Sequence, residues 1–212
     1  MSPPVTVCHR GASALAAENS LEAFRIAMEH GVEYSELDVY VAHDGELLVT
    51  HDAVLDPALE NALPRLSEVF ELVRGRMGVY VELKGDRTGQ ALGELIRRGA
   101  ARDVRLIAGS FVLELVAELR EAAPDVPRSI LFRPGWDVQP MLAACRELGA
   151  TYAHPCFRPI EPSLVEAFHA AGLLVMTPHT NAAAEARYFA EIGVDVIASD
   201  DPRILTGLTR SP

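Results

Sequence analysis

Short apolar runs of strand length alternate with longer amphipathic stretches from one end of the chain to the other, the pattern produced by repeated strand–helix units. The strand-length runs are Val5–Cys8, Tyr34–Val41, Val79–Leu83, Arg105–Ala108, Arg128–Phe132, Tyr152–His154, Leu173–Thr177 and Asp195–Ala198. Between them, helical spacing and end signals predict helices at Ser20–His30, Ser67–Arg74, Gly89–Arg98, Leu113–Ala122, Val138–Leu148, Pro162–Ala171 and Ala182–Ile192. All but one end at a glycine able to take a left-handed conformation, and the exception ends before Pro124. In the first helix Ser20 is placed to cap, while Leu21, Phe24, Ile26 and Met28 supply much of the buried side. Eight such repeats predict an α/β fold, a TIM (β/α)8 barrel rather than a doubly wound sheet, as a single domain over residues 1–212. One extra β segment, Leu47–Thr50, makes a short insertion after the second strand.

Composition supports this picture and narrows the function. The 212 residues are 49% hydrophobic and only 6% aromatic, which suits aliphatic layers around a parallel sheet. A net charge of −11 and no cluster of Lys and Arg argue against nucleic acid as a partner. A phosphoester remains compatible with such a surface if a metal ion or a few basic groups converge locally. The N-terminal stretch does not read as a signal peptide, and no apolar run is long enough to span a membrane. Cys8, Cys145 and Cys156 lack a close paired spacing and are expected as reduced, buried packing residues in a cytoplasmic protein.

Candidate chemistry collects at strand ends. Val5–Cys8 delivers His9-Arg10-Gly11 to the carboxyl end of the first strand, where a parallel barrel carries its active groups. An imidazole there transfers protons near neutral pH and a guanidinium grips phosphate in a fork; the plainer reading is a capped strand-end His and a surface ion pair. Glu36 and Asp38, two apart on a strand, project to one side. Buried together they require a cation, for which a divalent metal with oxygen ligands is the natural candidate. Glu82 adds a third carboxylate on an apolar strand, with Lys84 on the same side. Its alternative is a Glu82–Lys84 ion pair with Glu36 exposed at the rim. His51-Asp52 follows another short apolar run, and two histidines beside a metal divide the proton transfers that a phosphodiester needs. Asp52 either orients the His51 ring or caps the next turn, whereas His43, before Asp44-Gly45, reads as a turn residue.

Taken in order, His9-Arg10-Gly11, Glu18-Asn19-Ser20, Glu36-Leu37-Asp38-Val39, Asp44-Gly45, His51-Asp52 and Glu82-Leu83-Lys84 resemble the glycerophosphodiester phosphodiesterase family. The likeness continues through Ser110-Phe111, Asn181, Gly193–Ile197 and Asp200-Asp201-Pro202. It implies a TIM barrel holding Mg²⁺ or Ca²⁺ on Glu36, Asp38 and Glu82, with His9 and His51 as acid and base and Arg10 and Lys84 on the phosphate. The implied reaction is hydrolysis of a small-molecule glycerophosphodiester to glycerol 3-phosphate and an alcohol, by water or through a neighbouring substrate hydroxyl. Alternatives are a lysophospholipase D or sphingomyelinase-D-like enzyme acting on lipids, and a phosphate-binding barrel without hydrolysis. Three departures bear on the pocket. The stretch from His51 to the helix near Leu66 is short, Pro178-His179-Thr180-Asn181 stands where the family commonly has Trp-Thr-Val-Asn, and Ala17 replaces a common proline. His154, Phe157, His179 and Trp136 are candidates to line the altered pocket, each with a plainer structural or surface reading.

Overall fold

The computed structural model describes residues 3–54 and 56–208. In chain order its elements are β1 (Val5–Cys8), α1 (Leu21–Glu29), β2 (Tyr34–Val41), β3 (Leu47–Val49), α2 (Pro57–Glu60), α3 (Leu66–Val73), β4 (Gly78–Leu83), α4 (Thr88–Arg97) and β5 (Leu106–Ser110). There follow α5 (Leu113–Ala122), β6 (Arg128–Phe132), α6 (Val138–Leu148), β7 (Tyr152–Pro155), α7 (Pro162–Ala170), β8 (Leu174–Val175), α8 (Ala183–Glu191), β9 (Val196–Ser199) and α9 (Pro202–Leu205).

The sheet runs β8-β7-β6-β5-β4-β2-β1-β9 with every neighbouring pair parallel. Closure comes from a parallel bridge between Met176 and Val196, flanked by Asp195 N donating to Val175 O at 3.0 Å and Thr177 N to Val196 O at 3.3 Å. The fold is therefore the expected TIM barrel. Strand alternation divides the apolar residues into two bodies. The larger lies between strands and helices and includes Phe24, Leu37, Val81, Ile130 and Phe168. The smaller, Val7, Tyr80, Ile107, Leu131, Met176 and Val196, fills the barrel interior.

Local signals explain most ends. Ser20 accepts from Ala23 N and starts α1, and Gly31 takes φ 71° beyond its end. The residues that α1 buries fully are Ala23, Phe24 and Ala27, whereas Leu21, Ile26 and Met28 are half-buried against the same core. The buried face thus centres on two alanines and one phenylalanine rather than on the long aliphatic side chains. β8 is shorter than the run Leu173–Thr177, because Met176 makes only an isolated bridge and Leu173 and Thr177 fall outside the ladder. No apolar pattern announced α2, which starts where Asp56 accepts from Ala58 N.

The extra β segment has a positioning role. β3 pairs antiparallel with the upper part of β2, Val39 opposite Val49 and Val41 opposite Leu47. Thr50 N then donates to Asp38 O at 3.0 Å, which brings the following His51 beside the β2 carboxylates. His43 sits in the β2–β3 turn, as expected, with Nδ1 2.6 Å from buried Glu60 of α2. No helix among the described residues is long and apolar enough to cross a membrane.

Candidate active site

The carboxyl ends of the strands surround a cavity of about 340 Å³ lined by His9, Arg10, Glu36, His51, Glu82 and Lys84 among others. Its floor is the apolar barrel interior, with Val7, Leu131, Met176 and Val196.

Strand register assembles the carboxylates. Asp38 of β2 lies opposite Glu82 of β4, and Glu36 precedes Asp38 by two on the same inward face. One ligand atom from each of the three lies within 4.8 Å of the others, with Glu36 and Asp38 buried. The rim-exposed alternative for Glu36 is thereby excluded. Burial first, then the like charges of Asp38 and Glu82, push the Glu36 carboxyl well above the usual range. Glu82 is raised by burial and by Asp38, with Lys84 opposing. Three hard oxygen donors converging in this way fit a divalent cation of the Mg²⁺ or Ca²⁺ kind. His9, His179 and Asp200 also bring ligand atoms within 4.8 Å. Their two rings are nearly parallel, so the nitrogen lone pairs lie in parallel planes and do not converge on one ion.

The basic groups are packed against this set. Arg10 takes a left-handed backbone, φ 56°, which lets its N–H donate to Glu36 Oε2 at 3.0 Å. Its Nη1 is held by Glu18 at 3.0 and 3.1 Å. Nε is buried and lies 3.2 Å from Asp38 Oδ2 as an ion pair without hydrogen-bond geometry. Gly11 permits the turn: at φ +79°, an added Cβ would sit 2.6 Å from Ala23 Cβ. Lys84 Nζ is 3.1 Å from Asp38 Oδ1 and 3.6 Å from Glu82 Oε1, so the Glu82–Lys84 pairing exists as part of a larger network. Buried Asn19 donates to Asp38 Oδ2 at 3.0 Å.

Each histidine has a carboxylate behind it. His9 Nδ1 is 2.7 Å from Asp200 Oδ1, and His51 Nδ1 is 2.8 Å from Asp52 Oδ1. Asp52 thus orients the ring. Burial alone would raise Asp200, but hydrogen bonds from His9 and Asn181 outweigh it and hold the carboxyl well below its ordinary value. Nδ1 of His9 thus faces Asp200, and its Nε2 lies 3.9 Å from Glu36 Oε2.

His179 was expected at the pocket, and Asn19, Asn181 and Asp200 within the family-like motifs, but nothing in the sequence assigned these four their partners here. The available signal was positional, since Asp200 directly follows β9 as His9 follows β1. Of the pocket candidates, His154 and His179 line the cavity, whereas Trp136 and Phe157 border a separate depression near α6 and α7. His154 is buried with Nε2 donating to Thr177 O at 3.0 Å and Nδ1 3.1 Å from Tyr80 Oη. Cys8 and Cys145 are buried as expected, whereas Cys156 is half-buried at the cavity wall.

The sequence matches the model of the glycerophosphoryl diester phosphodiesterase family over residues 9–73 and 57–204. The chain belongs to that family. A glycerophosphodiester phosphodiesterase of Caldanaerobacter subterraneus subsp. tengcongensis is 28% identical over 97% of this chain and 98% of its own length. A crystal structure of the glycerophosphodiester phosphodiesterase from Agrobacterium tumefaciens, 28% identical, superposes with a TM-score of 0.77 over 98% of this chain and 100% of that one. An Oleispira antarctica phosphodiesterase, solved in complex with the product sn-glycerol-3-phosphate, shares the fold with a TM-score of 0.85 at 21% identity, covering 97% and 96% of the two chains. The chain is accordingly a phosphodiesterase of this family.

Proposed function

We propose that this chain hydrolyses glycerophosphodiesters to glycerol 3-phosphate and an alcohol, with His9 and His51 as the acid–base pair. Glu36, Asp38 and Glu82 hold a divalent cation, and Arg10 and Lys84 hold the phosphate. The observation that carries the reading is the convergence, on one cavity, of two carboxylate-backed imidazoles with the carboxylate triad and two cationic side chains. The product complex of the Oleispira relative, on the same fold, supports the choice of product.

The bound cation supplies charge neutralisation for a nonbridging phosphate oxygen and for the charge that grows on it. The chain's own groups do the rest. Arg10 and Lys84, both on the cavity wall, orient the phosphate. One imidazole removes the proton of the attacking hydroxyl through Nε2, and the other protonates the leaving alcohol oxygen. Asp200 and Asp52 each accept from Nδ1–H, so Nε2 of each ring is left to the reacting groups, bare on the base and protonated on the acid.

The test is a panel of glycerophosphodiesters and lysophosphatidylcholine, given to metal-stripped protein with Mg²⁺ or Ca²⁺ added back, with both products detected. Metal-dependent release of glycerol 3-phosphate is expected, and replacing either His9 or His51 by Ala lowers turnover by at least about a hundredfold. Near-native rates in both variants would remove the acid–base assignment. Cation-dependent ligand binding without product from any diester would favour a non-hydrolytic barrel, and preference for the lysolipid would move the substrate to lipids.

A further inference from the structure

We propose that His179 is a positioning residue for His9, its ring lying against the His9 imidazole and fixing the plane in which that ring works. The proposal rests on the acid–base reading of His9 and extends it to a residue outside the reacting set.

His9 is anchored in its own plane by one short contact, Nδ1 to Asp200 Oδ1 at 2.7 Å. A single in-plane anchor leaves the imidazole free to rock about the line joining the two atoms, which carries Nε2 away from its target. A contact on the ring face stops that motion. His179 provides it: the two ring centroids are 4.0 Å apart and the planes differ by 9°.

The loop after β8 is built to present this ring. Arg158 Nη2 donates to the His179 carbonyl at 2.8 Å, and Arg158 is itself pinned by Glu185 at 2.7 and 3.0 Å. Thr180 N donates to Ala198 O at 2.8 Å. Asn181 Nδ2 donates to Asp200 Oδ2 at 2.6 Å, while its Oδ1 accepts from Asp200 N at 3.0 Å. One short segment thus fixes both neighbours of His9, the carboxylate at its edge and the ring on its face.

The stacked ring touches His9 rather than any group that binds the phosphate, so it acts on how the reacting imidazole is held and not on how substrate is bound. Its loss therefore falls on kcat more than on KM.

The experiment compares His179→Phe, which keeps an aromatic face without ring nitrogens, with His179→Ala and His179→Asn, which remove it. Folding of each is checked by circular dichroism, and the two face-less variants back each other up. In NMR spectra of the full-length protein, the His9 ring protons should carry an upfield ring-current shift in the native chain and in His179→Phe, and lose it in the others. With the diester turned over fastest, His179→Ala should lower kcat about tenfold with KM within about twofold, and His179→Phe should recover most of the rate. Unchanged His9 resonances in the face-less variants, a loss confined to KM, or a Phe variant as slow as the Ala variant would each overturn the proposal. If the native chain cleaves no diester, the functional reading fails while the NMR comparison still decides whether His179 holds His9.

Discussion

Asp200 stands 191 positions from His9 and lies 2.7 Å from its Nδ1, so the surroundings of this imidazole are completed from the end of the last strand of the barrel. Asp200→Asn keeps the shape but removes the charge that fixes the tautomer and stabilises the imidazolium. We expect a fall in kcat of about a hundredfold or more with little change in KM, measured by steady-state kinetics; a change below threefold would remove Asp200 from the mechanism. A second titration consequence lies below the cavity. Burial foremost holds the His154 pKa down at about 4, against 6.5 when free. The unfolded chain therefore binds this proton first, and the associated stability is complete above about pH 6.5 and lost as pH falls toward 4. The loss is on the order of 3 kcal/mol, from roughly 1.4 kcal/mol per pKa unit. Urea unfolding at pH 7 and pH 4.5 should show a steeper decline for the native chain than for His154→Gln. Parallel declines would contradict it.

At the scale of elements, boundaries were legible where capping chemistry or a glycine marks them and obscure where tertiary contacts decide. Val5–Cys8, Tyr34–Val41, Arg128–Phe132, Leu113–Ala122 and Val138–Leu148 match the pattern end for end. α2 escaped because four residues are too few to show a helical period, and its anchor is a distant contact, buried Glu60 on His43. The site shows the same division. Glu36, Asp38 and Glu82 could be found because charges on apolar strands are conspicuous, and His9 and His51 because each follows a short apolar run. Asp200 and His179 were obscure because their meaning arises from barrel closure, which puts the end of β9 beside β1. Glycines likewise differ by surroundings rather than by φ. Gly11 and Gly31 both have positive φ, but a Cβ on Gly11 meets Ala23 Cβ at 2.6 Å and its backbone carbon at 2.9 Å, while one on Gly31 meets nothing within 4 Å. Gly31→Ala should cost about 1 kcal/mol, and Gly11→Ala at least about 2 kcal/mol more, since overpacking adds to backbone strain. Denaturant midpoints give both values, and equal costs would show that the α1 contact yields freely.

For the molecule as a whole, the proposed cation site on the carboxylate triad would link cation binding to folding. Glu36 and Asp38 come from β2 and Glu82 from β4, so the donors converge only in the folded barrel, and a cation bound there stabilises the native state alone. At a hundred times its dissociation constant an ion adds about 2.7 kcal/mol, which for a chain of this size raises Tm by roughly 5–10 °C. Without the ion the same triad is a burden: Glu36 and Glu82 are both pushed above the usual carboxylate range by burial and by one another's neighbours. Glu82→Gln removes a like charge from that cluster, so it should raise the Tm of the metal-free protein while abolishing the further rise on adding Mg²⁺ or Ca²⁺. The paired sign is the informative part, because a substitution that merely damaged the barrel would lower Tm under both conditions. Scanning calorimetry on chelator-treated protein, with each ion added back, measures the four values needed. A native Tm indifferent to both ions would remove the triad as a cation site, and a Gln variant that responds as the native chain does would move the site away from Glu82.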